Sequence, residues 1–296
     1  MSIHGFIEYI EKEKKFSNHT VKAYTTDLNE FSSFCKNIGE NTPVDQIDYS
    51  SIRLWIVTMV NDGKSNRTIN RKISVLRSFY SYLMRIGDRT SHPLRQHKPL
   101  KEEKTIQLPF SENEINTLLD GKFFSDDYKG ILSKTIIETF YGTGIRRSEL
   151  IQLQTLNIDF KEGLMKVMGK RNKERIIPII PSLLEQLKRY QAVKLDQFKT
   201  DSDLFFRNIK GEKLPDNFVY SVVNDYFKNV STKDKKSPHM LRHSFATHLL
   251  NQGADLNTVK DLLGHVSLAA TQIYTHTNMQ QIKAIYKDAH PRGDKK

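Results

Sequence analysis

The sequence predicts a mainly α-helical protein of two domains, the second carrying a small antiparallel β-meander. Three observations lead there. The chain has 296 residues, above the size at which a single hydrophobic core usually stops growing. Apolar residues in the first part recur every three or four positions, the spacing of a helix face. A stretch at 89–109 with three prolines and many charges then interrupts the pattern, and beyond it helical segments alternate with three short strand-like runs. The expected division is a helical domain at 1–88, a linker at 89–109 and a mixed domain at 110–296.

Within the first domain, Val21, Tyr24, Leu28, Phe31 and Phe34 define an amphipathic helix over 18–36, with Ser17 or Asn18 as its cap. Ile52, Trp55, Ile56 and Met59 mark a second over 50–60. A third over 67–86 carries Ile69, Ile73, Leu76, Phe79, Tyr80 and Leu83, and ends at Gly87. Its outer face is read as Arg67, Arg71, Lys72 and Arg77, continued by Lys64 and Asn66 in the preceding turn. A charged helix face is ordinarily a solvated one, but this one is almost free of acids, which favours a polyanion. The second domain opens at Ser111 with a capping box, Ser-Glu-Asn-Glu, ahead of Ile115, Leu118 and Leu119. A helix ends near Tyr141, Gly142-Thr143-Gly144 turns the chain, and a new helix holds Arg146 and Glu149. Runs 156–160, 164–168 and 175–179 read as strands, separated by Lys161-Glu162-Gly163 and Gly169-Lys170-Arg171-Asn172. Helices resume at Pro181 and again at Pro238, which suits a first helical turn.

The formal charge is +12, from 46 Lys and Arg against 34 Asp and Glu. It is spread over both domains, +5 in residues 1–105 and +7 in the remainder, so both are able to face phosphate. Cys35 is the single cysteine, which excludes an intrachain disulfide and a zinc site built on cysteines. The N-terminus lacks an apolar signal region, and no stretch approaches the ~20 apolar residues of a membrane helix. A cytoplasmic protein without membrane insertion is expected.

Four strings in the second domain stand out: Thr143-Gly144-Ile145-Arg146 with Glu149; Gly169-Lys170-Arg171-Asn172-Lys173; His239-Met240-Leu241-Arg242-His243; and Leu263-Gly264-His265 followed nine residues later by Tyr274. Together they resemble the tyrosine recombinase (phage integrase-like) family over nearly the whole chain. The compact length and the short His290-Pro291-Arg292 tail are most like its bacterial Xer subgroup. The resemblance implies a helical, SAM-like core-binding domain followed by a mixed α/β catalytic domain. It also implies an enzyme that cuts and rejoins DNA through a 3′-phosphotyrosyl bond and a Holliday junction, without cofactor, metal or ATP. Consistently, no Gly-x-x-x-x-Gly-Lys-[Ser/Thr] string is present.

The chemistry asks for these residue types on its own terms. Attack on a phosphodiester builds negative charge on the non-bridging oxygens, which the guanidinium fork of arginine matches; Arg146 and Arg242 are the candidate clamp. His239 stands three residues before Arg242, on the same helix face, as proton acceptor for a tyrosine hydroxyl or as donor to a phosphate oxygen. His265 would donate a further hydrogen bond. By the resemblance, Lys170 is the general acid for the departing 5′ oxygen, selected over its rivals Arg171 and Lys173 by its place in the string; those two are candidate DNA contacts. Tyr274 is the nucleophile, singled out from the 12 tyrosines only by its place after His265.

Taken singly, each of these residues has an ordinary structural reading: a helix arginine in a surface ion pair, a partly buried histidine, a solvated turn lysine, a packed tyrosine. Rivals of other classes are a metallohydrolase using His239 and His243, with His248, His265 and His276 nearby, and a DNA-binding module without catalysis. Met240 stands where the zinc motif His-Glu-x-x-His requires Glu, and a pure binding module has no need of all six residues. A type IB topoisomerase shares the chemistry without choosing a sequence. The expected partners are a double-stranded DNA recombination site and three further protomers in a homo- or heterotetramer. A second Xer-type recombinase and a septal DNA translocase follow if the role is chromosome dimer resolution; a mobile-element integrase or DNA invertase would share these residues. Met279, Ile282, Ile285 and Tyr286 repeat at helical spacing, which fits packing on their own subunit and docking on a neighbour equally.

Overall fold

The computed structural model describes residues 2–39, 42–102, 107–169, 174–199, 203–264, 283–286 and 288–293. The chain forms two compact units, Met1–Thr105 and Ile106–Lys296.

The first unit is built on α1 (Ser2–Glu8), which runs into a single π turn at Tyr9–Glu13, and on α2 (Asn18–Asn37), α3 (Tyr49–Asn61) and α4 (Asn66–Arg85). Ser17 and Ser65 cap α2 and α4, their hydroxyls accepting the amides of Thr20 and Thr68. Past the end of α4, Gly87 adopts φ +81°, so the Gly87 and Asp88 amides bond back to Met84 and Leu83 and satisfy carbonyls the helix leaves open. Ile52, Trp55, Ile69, Ile73, Phe79 and Leu83 meet in one core with Phe6, Leu28 and Phe31. Phe31 lies 4.9 Å from Trp55 and Phe6 lies 5.5 Å from Phe79, centroid to centroid. The segment after α4 stays on this unit. Leu94 is buried in the same core, and Asn70 both donates to the Leu100 carbonyl and accepts its amide, each at 2.9 Å.

One expectation for the outer face of α4 is corrected here. Lys72 is buried, not solvent-facing. Its ammonium reaches Asp27 at 2.9 Å and Glu30 at 2.6 Å, both on α2. Arg71 joins the same cluster through Asp27. The acids that this face lacks in sequence are thus supplied by another helix. Burial works against the Lys72 charge, but hydrogen bonds and attraction from Glu30 and Asp27 outweigh it and hold the ammonium above its ordinary value. Lys64, Arg67, Arg71 and Arg77 remain exposed. Arg77 donates to the His97 carbonyl and Asn66 to that of Lys101.

The second unit contains α5 (Glu112–Asp120), α6 (Tyr128–Thr143), α7 (Arg147–Ile151), α8 (Pro181–Phe198), α9 (Asp216–Phe227), α10 (Pro238–Asn251) and α11 (Leu256–Leu263). A three-stranded antiparallel sheet joins them: β1 (Ile158–Asp159), β2 (Leu164–Met168) and β3 (Glu174–Pro178), in the order β1-β2-β3. The capping box at Ser111 forms with Glu114. Helix α6 is the centre of the unit, buried almost all round and packed against α8 and α10. In the β2–β3 pair, Met168 faces Glu174 and Leu164 faces Pro178. The hairpin tip between them, 170–173, lies outside the described residues.

The described C-terminal residues seat on this same unit. Tyr286 is buried and donates to the Gly142 carbonyl, and Arg292 meets Asp120 at 2.9 Å. Met279 and Ile282 of the expected apolar face lie outside the described residues, and Ile285 is exposed.

Removing one member of a buried ion cluster leaves an uncompensated charge, at a cost of about 3–5 kcal/mol. Asp27→Ala is expected to lower the stability of the first unit by that order in denaturant unfolding. The double variant Asp27→Leu/Lys72→Met should recover most of the loss, and an equally unstable double variant would argue that the cluster is not the cause.

Candidate active site

The site is built where α6, α7, α10 and α11 end or begin. Gly144, at φ +60°, closes α6 in a conformation that a side chain disfavours. A Cβ there would also approach Phe245 to 2.5 Å. The chain then turns tightly enough to set Arg146 at the start of α7. Gly264, at φ +64°, ends α11 in the same way and leaves that helix's last carbonyls without intrahelical partners.

Three arginines take up those carbonyls. Arg175 Nε donates to Leu262 at 2.9 Å, Arg242 Nη2 to Leu263 at 2.7 Å, and Arg146 Nη2 to Gly264 at 3.3 Å. The C-terminal end of a helix carries partial negative charge, so three cations gather there with less repulsion than they would meet elsewhere. Arg242 Nη1 also donates to the Gly144 carbonyl at 2.6 Å, which fixes its guanidinium plane from two sides.

Glu149 is the anionic counterpart. Arg175 grips its buried carboxylate with both Nη atoms, at 2.9 and 2.8 Å. Arg146 reaches it twice, through its amide and through Nη1, both at 2.7 Å. Burial alone would raise this carboxyl, but the hydrogen bonds and charge of Arg175, then the bonds from Arg146, hold it down at about 2. Arg242 is pulled the other way. Burial, followed by the charges of Arg146 and Arg175, lowers its guanidinium to about 10, still fully charged at neutral pH.

Two of these arginines face a cleft of about 470 Å³. Arg146 and Arg242 line it with His239 and Ser237 at the N-terminal end of α10, and Arg147, Ser148 and Tyr220 form the remaining polar wall. No carboxylate is among the described residues that line it. An oxyanion entering it meets charge-assisted donors already locked in place, with the positive end of α10 behind them.

Of the six sequence-predicted catalytic residues, Arg146, His239 and Arg242 come together here. Lys170, His265 and Tyr274 lie outside the described residues, as do Arg171 and Lys173. His239 and His243 are exposed, while His248 is buried with Nδ1 3.0 Å from the Tyr141 hydroxyl. Among the described residues no three His, Cys, Asp or Glu side chains gather to hold a metal ion.

Sequence reasoning missed the role of Arg175 and left that of Glu149 unassigned. A signal for Arg175 existed: along β3 it alternates in step with buried Ile177, a charge on the inward side of a strand, which requires a buried partner. Tyr220 gave no signal, because its place in the cleft depends on how α9 packs.

The phage integrase family matches residues 100–281, and the N-terminal SAM-like domain of phage integrases matches residues 3–87. The chain belongs to the phage integrase family of tyrosine recombinases. It is similar to tyrosine recombinase XerC of Staphylococcus carnosus, with 37% identity over 291 residues that cover 98% of this chain and 97% of the relative. Tyrosine recombinase XerC of Thermodesulfovibrio yellowstonii is also 37% identical, over 294 residues covering 98% and 96%. Among solved structures, XerA recombinase matches 97% of both chains at 26% identity and TM-score 0.50. XerH bound to its difH substrate matches 94% of this chain and 82% of its own at 23% identity and TM-score 0.68, a likeness of fold. The recombinase is therefore a site-specific enzyme of DNA cleavage and rejoining, with an integrase catalytic domain behind a SAM-like one. No helix among the described residues is long and apolar enough to cross a membrane.

Because the Glu149 carboxyl sits at about 2 in the folded protein against 4.5 for an ordinary glutamate, it contributes stability that is complete above pH 4.5. That contribution is lost as pH falls toward 2, about 3 kcal/mol in all. Denaturant unfolding of wild type and Glu149→Gln should differ by that order at pH 7 and converge on acidification; a gap that does not change with pH would refute the ion-pair account.

Proposed function

We propose that the cleft seats the scissile phosphate of a recombination site, with Arg146 and Arg242 as its clamp. The observation that carries this is the pair of locked guanidiniums beside His239 in a cleft whose described lining has no carboxylate. Charge growing on the non-bridging oxygens during attack is met by donors that need no reorganisation. Tyr274 is the nucleophile: its hydroxyl oxygen bonds to phosphorus, the 5′ oxygen leaves, and a 3′-phosphotyrosyl bond stores the energy for religation. Lys170 supplies the proton to the departing 5′ oxygen. His239 takes the tyrosine proton or donates to a phosphate oxygen, and His265 donates a further hydrogen bond. No cofactor enters this scheme.

Lys64, Asn66, Arg67, Arg71 and Arg77 on the first unit, with Arg171 and Lys173 on the second, serve as DNA contacts. Lys72, committed to Asp27 and Glu30, is withdrawn from that set. The biological role is chromosome dimer resolution in the cytoplasm. Four protomers act on two duplexes through a Holliday junction, together with a second Xer-type recombinase and a septal DNA translocase. Full-length likeness to proteins named XerC supports this role.

Tyr274→Phe is expected to abolish covalent capture of a nicked suicide duplex while leaving binding to that duplex unchanged. Undiminished adduct would remove the assignment of the nucleophile. For the biological role, mapping the chromosomal DNA trapped covalently by the wild-type enzyme should return a single locus near the replication terminus; recovery of mobile-element ends would overturn dimer resolution.

A further inference from the structure

We infer that Tyr220 binds the phosphate next to the scissile one, forming with Arg147 a second anion seat in the same cleft. The inference rests on the reading of the cleft as the scissile-phosphate site and extends it to a residue that reading leaves idle.

The cleft is far larger than one phosphate group requires. Arg146, Arg242 and His239 account for part of its lining. Tyr220 lines it too, a tyrosine that is 46% exposed on a helix whose neighbouring Val219, Val222 and Val223 are buried in the core. The core packing of α9 is made by those valines, and among the described residues no hydrogen-bond partner takes the Tyr220 phenol, which lines the cleft. Arg147 lines the same cleft and is braced: its Nη2 meets Asp216, one helical turn before Tyr220 on α9, at 3.0 Å. That ion pair ties α7, which begins beside the clamp residue Arg146, to the helix that carries Tyr220.

A DNA strand carries one charge per nucleotide, so a cleft that seats one phosphate brings its neighbours to the rim. A tyrosine suits such a place. Its hydroxyl donates to a phosphate oxygen while its ring covers the adjoining deoxyribose, an apolar body with a polar tip. Contacts of this kind fix register and carry no base information. Tyr220 would accordingly govern how well the scissile phosphate is aligned for attack, and not which sequence is chosen.

The test uses the full-length enzyme and a nicked suicide duplex carrying the chromosomal site to which the protein is covalently trapped. Single-turnover adduct formation is compared for wild type and Tyr220→Phe, on the all-phosphodiester duplex and on two duplexes with a neutral methylphosphonate one nucleotide to either side of the scissile position. Tyr220→Phe should slow adduct formation about tenfold on the native duplex, the scale of one hydrogen bond to a charged acceptor. It should cause no further loss on one of the two methylphosphonate duplexes, where that acceptor charge is already gone. The exposed hydroxyl makes no packing contribution, so thermal unfolding should be unchanged. An equal loss on all three duplexes, or no loss on any, overturns the inference. Failure of wild type itself to form adduct removes the underlying reading instead, and is seen before any variant is compared.

Discussion

The second unit depends on one arrangement: the open C-terminal end of α11 and the buried Glu149 carboxylate together hold Arg146, Arg175 and Arg242. Three guanidiniums this close repel one another, and bringing them out of water is costly. The successive carbonyls of Leu262, Leu263 and Gly264 each accept from a different arginine, and Glu149 binds two of the three. Arg242, the one that Glu149 does not hydrogen-bond, is fixed by carbonyls alone and lies deepest of the two that face the cleft. The division separates a structural arginine from two that are oriented but still able to donate.

The same arrangement explains why two glycines bracket the site. Gly144 and Gly264 both sit at positive φ, one ending α6 and the other α11, and each turns the chain where a helix must stop to expose carbonyls to an arginine. A side chain at Gly264 would press on the Arg175 stem at 3.0 Å. Helix termination, charge compensation and the aim of the cleft are therefore one constraint rather than three.

The first unit handles buried charge in a different way. Lys72 is enclosed with Asp27 and Glu30 between α2 and α4, which removes it from the basic face while Lys64, Arg67 and Arg77 keep that face exposed. Helical periodicity located α2, α3 and α4 closely, because each has an apolar stripe, and serine caps mark the starts of α2 and α4. It did not reveal α9 or α11. The former is rich in β-branched valine, which reads as strand as readily as helix, and the latter is only eight residues long. Helix α6 escaped a full outline for the opposite reason: buried on nearly every side, it has no polar face for a period to show.

What the sequence determined by itself was the family, and with it the class of reaction, DNA cleavage and rejoining, because strings of residues with family spacing survive as linear text. Tertiary structure decided which charges are available. Lys72 reads as a DNA contact and Arg175 as one residue of a strand, yet both are consumed by carboxylates distant in sequence, Asp27 and Glu149. Tyr220 reads as one tyrosine among 12 and instead lines the cleft. Burial and ion pairing are properties of the packed chain, set by residues that only folding brings within a few ångströms.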